Sequence, residues 1–186
     1  MHSRHVLTAS AALPSILPPH LVVESLQTYT PTLRHNFSIT SFFHIHSDPN
    51  SIADDPFFGP WDNTIRTFYV HECTELVPGV SRRVSWPCVF QSTPNGARFR
   101  VTAPAGIKVW AEFTVRPRIE SPTPSDSAVT SAINGGDDWE LYDELVIEGN
   151  RIVMPFTLPY TQRVHQQICE RLVDEVFRDY VNAVTP

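Results

Sequence analysis

The chain has 186 residues and 21.0 kDa, the size of one ordinary domain, and its 41% hydrophobic and 11% aromatic content suffices for a core without disulfides or metals. A net charge of −6, with Lys108 as the only lysine and the arginines scattered, argues against nucleic-acid partners and against an electrostatic membrane anchor. No apolar run approaches the roughly 20 residues that span a bilayer, the first residues are too polar for a secretory signal, and Cys73, Cys88 and Cys169 are spaced like reduced thiols, so a cytoplasmic protein is expected.

Arg4 to Ala12 alternates weakly and predicts an opening strand, followed by Pro14, Pro18 and Pro19. His20 to Tyr29 spaces its apolar residues as a short amphipathic helix that Pro31 stops. His35 to His46 predicts a strand with Phe37, Ile39, Ser41, Phe43 and Ile45 on one face. Residues 47–63 read as a long ordered loop, a candidate lid, because Phe57, Phe58 and Trp61 are costly to leave in water.

From Ile65 to Arg116 the period of two predicts an antiparallel meander, broken at Pro78-Gly79, Pro94-Asn95-Gly96 and Pro104-Ala105-Gly106. In its last strand Ile107, Val109, Ala111, Phe113 and Val115 oppose Lys108, Trp110, Glu112 and Arg116, so one face of the sheet needs a cover. Residues 117–138 are rich in Pro, Ser, Thr, Gly and Asp and read as a flexible hairpin connection. Trp139 to Glu148 is a further strand with Leu141, Asp143, Leu145 and Ile147 on one side, and Gly149-Asn150 is its turn. Residues 157–183 form the expected C-terminal helix, with Thr157 as cap and Pro159 in the first turn. His165, Ile168, Cys169, Leu172, Val176 and Tyr180 share its apolar stripe.

Strand, short helix, antiparallel sheet and long final helix is the element order of the helix-grip fold. With the segments Trp139-Glu140-Leu141-Tyr142-Asp143-Glu144-Leu145 and Gly149-Asn150-Arg151-Ile152-Val153-Met154-Pro155-Phe156 and the helix bearing His165, the chain resembles the START-like, polyketide cyclase/dehydrase-like superfamily, more narrowly a fungal branch of it. The resemblance implies an α+β fold in a single domain over residues 1–186. A curved antiparallel sheet would wrap around the C-terminal helix and leave an internal cavity for an apolar ligand.

Within that frame His165 points from the helix towards the sheet, either as a polar handle for a ligand or as a core histidine bonded to a backbone carbonyl. Asp143 falls on the apolar face of its strand, where a carboxylate needs an arginine or His165 as partner; a bulge near Tyr142 would turn it to solvent instead. Tyr142 is a third candidate orienting group. Trp86 and Cys88 share a face with Val84 and Phe90 that Arg82 extends, an aromatic wall with an arginine at its end. Phe113, Cys169 and Leu172 are further candidate lining residues, as are Tyr69 and His71, although both faces of their strand are mixed.

His44 and His46 lack a third ligand nearby, so no metal is expected. No GxSxG, phosphate loop or dinucleotide fingerprint is present, so no cofactor is expected either. The function expected is a cofactor-free cyclase or isomerase, of which a pericyclase such as a Diels-Alderase is one form, acting on an apolar polyketide or terpenoid of fungal specialised metabolism. The competing reading is a non-catalytic carrier of a lipid or apolar metabolite, and a third is an interaction domain with a filled core. A weak homodimer is the one protein partner considered.

Overall fold

Strands that alternate apolar and polar side chains pair into a sheet with one dry face, and a helix with an apolar stripe must close it. The computed structural model describes residues 2–77, 80–103, 106–118 and 138–185. Its elements are β1 (His2–Ala12), α1 (Pro19–Gln27), α2 (Thr30–Arg34), β2 (Ile39–Ile45), a 3-10 turn (Pro49–Ser51), β3 (Arg66–Val77), β4 (Val80–Thr93), β5 (Gly96–Ala103), β6 (Ile107–Pro117), β7 (Trp139–Asn150) and α3 (Met154–Val184). The strands form one curved sheet of order β1-β7-β6-β5-β4-β3-β2, antiparallel throughout. Its inner rows and α3 share one buried cluster that includes Trp86, Cys88, Phe90, Phe99, Phe113, Leu145, Cys169 and Leu172.

Several local expectations change. Pro31 does not stop a helix but stands in the first turn of α2, after Tyr29 takes a positive φ of 64°. That strained residue is held by its own side chain: its hydroxyl lies 2.7 Å from both the Thr64 carbonyl and Ser92 Oγ, and its ring stacks on Phe90. In β2 the register shifts between Ile39 and Ser41, which reverses the expected faces. Phe42 then packs on the core, while Phe43 is 51% exposed.

The helix α3 has 31 residues and begins at Met154, with Val153 rather than Thr157 at its N-cap; the Thr157 hydroxyl instead donates to the Val153 carbonyl (3.0 Å). At 1.5 Å per residue it is about 46 Å long and crosses the sheet. Gln162 and Gln166 donate to the carbonyls of Thr8 (2.7 Å) and Ser10 (2.9 Å), capping edge strand β1 with side chains. At its other end Glu175 pairs with Arg34 and His35 of the α2 segment.

Residues 47–63 pack on the outer face of the sheet, away from α3. Ile52 and Phe58 bury against Ile65 and Val89. Asp55 accepts from Arg100 (2.6 Å), Trp110 Nε1 (3.0 Å) and the Phe57 amide (3.0 Å), fastening the loop. Burial alone would raise the Asp55 carboxyl, but these donors hold it below its ordinary value. The expected turns at Pro78-Gly79 and Pro104-Ala105 lie outside the described residues, as does most of the 117–138 connection, whose base is closed by the Arg118 amide on the Asp138 carbonyl (2.6 Å).

Pro94 and Asn95 form the turn from β4 to β5, and the strand after it approaches β6 so closely that a Cβ on Gly96 would lie 2.0 Å from the Phe113 carbonyl oxygen. Gly96→Ala therefore forces two paired backbones apart beside Phe113. The expected loss is at least about 1–3 kcal/mol, read as a lower denaturation midpoint with an unchanged slope.

Candidate functional site

The inward row of β7 is Leu141, Asp143, Leu145 and Ile147, all fully buried, and no bulge interrupts the pairing of β7 with β6 or β1. Strict alternation thus carries a carboxylate into the core. Opposite it, the stripe of α3 presents His165, Ile168, Cys169 and Leu172, also buried. His165 Nδ1 lies 2.5 Å from Asp143 Oδ2. The imidazole is nearly parallel to the Phe113 ring (centroids 6.0 Å, 9°) and to the Phe99 ring (6.0 Å, 22°), so two aromatic walls fix its plane.

This pair is polar, enclosed and incompletely satisfied. Asp143 Oδ1 is buried without a hydrogen-bond partner among the described residues. His165 Nε2 likewise has no hydrogen-bond partner there, and the residue keeps 5% exposure. Burial raises the Asp143 carboxyl above its ordinary value, opposed by the charge and hydrogen bond of His165. Two arrangements of the pair place a hydrogen on the far side of the ring, imidazolium–carboxylate and imidazole–carboxylic acid. In both forms Nε2 carries a hydrogen and is a donor; loss of one proton converts it to an acceptor.

The structure sorts the remaining candidates by face. Trp86, Cys88, Phe113, Cys169 and Leu172 lie in the inner cluster with the pair. The Cys88 and Cys169 thiols are pushed up by burial, Cys169 also by the charge of Asp143, which makes both poor nucleophiles. Tyr142 is corrected: it points to the outer face, where the Arg116 guanidinium lies 3.4 Å over its ring. Tyr69 and His71 are corrected too. They face outward with Phe43, and His71 Nδ1 lies 2.6 Å from Ser85 Oγ, because the inward row of β3 is Phe68, Val70 and Glu72. Arg82 is exposed at the end of its row.

Sequence reasoning missed Phe99 as a wall of the pair, and it missed Glu72 and Tyr160. Glu72 accepts from Trp86 Nε1 (2.9 Å) and from the Tyr160 hydroxyl (3.1 Å). The signal was the need of a buried indole N–H for an acceptor.

Two hollows, of about 210 and 550 Å³, lie outside the sheet. One is between Ile45, His46, Thr67, Val89 and Arg100, and the other is within the 49–61 loop. Around His165 the concave side is occupied by side chains. Among the described residues no helix is long and apolar enough to cross a membrane.

A curved antiparallel sheet closed by a long C-terminal helix is the helix-grip fold, which this chain shares with solved START-like and cyclase structures. Within it the chain belongs to the DUF7053 family, described as a domain of unknown function, whose pattern matches residues 2–178. No curated protein matches it in sequence.

Solved structures similar to it include the ZhuI aromatase/cyclase from Streptomyces sp. R1128 (11% identity, TM-score 0.59, all of both chains). TTHA0849 from Thermus thermophilus is similar at 14% identity and TM-score 0.54, over 97% of this chain and 100% of that one. A Thalictrum flavum norcoclaurine synthase mutant, bound to a transition-state analogue, is similar at 11% identity and TM-score 0.52, over 94% and 97%. At such identities the likeness is one of fold.

Because the folded state binds the Asp143 proton more tightly than the unfolded chain, this carboxyl penalises folding progressively as pH rises from its ordinary value of 3.8 through its raised value. Each tenfold gain in proton affinity is worth about 1.4 kcal/mol. Asp143→Asn keeps an acceptor for His165 without the titration. Thermal melts of both proteins should show the variant at least as stable near pH 7, and its advantage should shrink towards pH 4.

Proposed function

We propose that this protein encloses an apolar small molecule between sheet and α3 and catalyses its cyclisation or isomerisation without a cofactor. The observation that carries the reading is the His165–Asp143 pair, buried among aromatic rings with one carboxylate oxygen unsatisfied. A pair of this kind adds little to stability, since apolar residues of the same volume serve a core as well or better. Its use is chemical. Held by Asp143 and flanked by Phe99 and Phe113, Nε2–H donates to a carbonyl or enolate oxygen that gains charge in the transition state. The surrounding walls hold a flexible chain in its reactive conformer, which lowers the entropic part of the barrier.

The substrate class is an apolar polyketide or terpenoid intermediate of fungal specialised metabolism, for which a pericyclic ring closure needs only such a donor and a shaped wall. The aromatase/cyclase among the similar structures is a precedent for ring-forming work in this fold. Because side chains fill the space around His165, substrate entry displaces them, and Trp86 and Leu172 are the lining groups that move or make contact.

Native mass spectrometry followed by denaturing extraction tests the reading. A polycyclic compound should emerge, and its open-chain precursor, added to fresh protein, should be converted. His165→Ala should lower kcat about a hundredfold, the span of one positioned proton donor, with the precursor still bound. A fatty acid or sterol recovered unchanged, or turnover indifferent to His165→Ala, would overturn the catalytic assignment.

A further inference from the structure

The sheet has two free edges, β1 and β2, and an unpaired edge recruits another chain unless it is covered or charged. The two edges differ. On β1, Gln162 and Gln166 of α3 engage the backbone at Thr8 and Ser10. On β2, Ile39–Ile45 (ITSFFHI) holds no proline, lysine, arginine or carboxylate, and each of its residues is at least partly exposed. The Thr40 hydroxyl bonds back to the His71 carbonyl of β3 (3.2 Å) and leaves the free edge bare.

The ladder fixes which backbone groups point out. The Cys73 amide donates to the Ser38 carbonyl (2.9 Å), so Cys73 turns its peptide groups towards β2. Alternate residues of a strand turn theirs to the same side, so His71, Tyr69 and Thr67 bond their partners Ser41, Phe43 and Ile45. The N–H and C=O groups of Phe42 and His44 therefore face outward. Phe42 of one copy set opposite His44 of another satisfies all of these groups in both chains, and it places Phe43 opposite itself on a two-fold axis. Phe43 is 51% exposed on the outer face, with its ring 5.7 Å from Tyr69 and 5.9 Å from His71. Side chains come closest at such a non-hydrogen-bonded position, so the two Phe43 rings cover each other there. Two-fold pairing also brings each residue near its own copy, which a charged strand would resist. In a chain of net charge −6, a strand without formal charge is where two copies can meet.

We infer that β2 is a self-association edge: two copies of this chain pair antiparallel through it, Phe42 opposite His44 and Phe43 opposite Phe43, and join their sheets into one. The contact is a single strand wide, so the dimer is weak and reversible.

Sedimentation equilibrium of the whole protein under reductant, from about 5 to 500 μM, tests it; the average mass should rise with concentration towards that of two chains. Phe43→Lys, which sets two ammonium groups on the axis, should weaken association at least about tenfold and leave the melting temperature unchanged, since the side chain is exposed. Phe43→Cys should cross-link into a dimer on oxidation, because the paired Cα atoms lie about 4.5 Å apart. Ser41→Cys, on the same face, should not, because its two copies lie about 13 Å apart in this register. The natural protein, with Cys73 partly exposed, gives the background. A chain that stays monomeric throughout overturns the inference and leaves the edge to an extended segment of another protein. A dimer indifferent to Phe43→Lys overturns the role of β2, and cross-linking of Ser41→Cys as readily as Phe43→Cys overturns the register.

Discussion

One seven-stranded sheet with a single apolar face, and one long helix to cover it, is the constraint from which the rest follows. Each large inward side chain gains about 1.5–3 kcal/mol by leaving water, so α3 is driven onto the concave side as a whole. Hydrophobic burial does not fix where along the sheet the helix stops. That is set by directional bonds at its flanks: Gln162 and Gln166 on the free edge of β1, Tyr160 on Glu72 of β3, and Glu175 on the α2 segment. These contacts set the register that brings His165 over Asp143, so the polar pair depends on groups that lie well away from it.

Two aspartates show how burial acquires opposite meanings. Asp55 fastens a loop outside the sheet; both its oxygens are engaged by Arg100, Trp110 and the Phe57 amide, and its carboxyl is held low. Asp143 has one partner, an unsatisfied oxygen and a carboxyl pushed up by burial. The first is what a structural buckle requires. The second leaves one oxygen without a hydrogen-bond partner among the described residues, and a buried acceptor left so costs about 1–3 kcal/mol.

Element order was legible because the meander and the final helix have clean periods of 2 and 3.6, and the alternation of β7 carried Asp143 to the core face on which it is found. Faces failed where both sides of a strand carry mixed chemistry. On β3 the rows Tyr69, His71 and Phe68, Val70, Glu72 each combine aromatic or apolar residues with an ionisable one, and only the packing of α3 and the outer loop decides between them. On β2 a bulge reversed the phase between Ile39 and Ser41, and no local residue announces it. The start of α3 shifted because Pro155 tolerates a first turn as well as Pro159 does, so proline chemistry alone allowed both boundaries.

Burial also bears on which reaction suits the proposed site. The apolar shell around Asp143 holds its carboxyl above its ordinary value, so the ionised form is costly there. The same shell strengthens a hydrogen bond from Nε2–H to an oxygen that gains charge, because little solvent competes and the ring cannot turn between Phe99 and Phe113. A ring closure or isomerisation that needs polarisation of a carbonyl therefore matches the electrostatics of the pair. A hydrolysis through a thiolate does not, because the same burial holds Cys88 and Cys169 protonated.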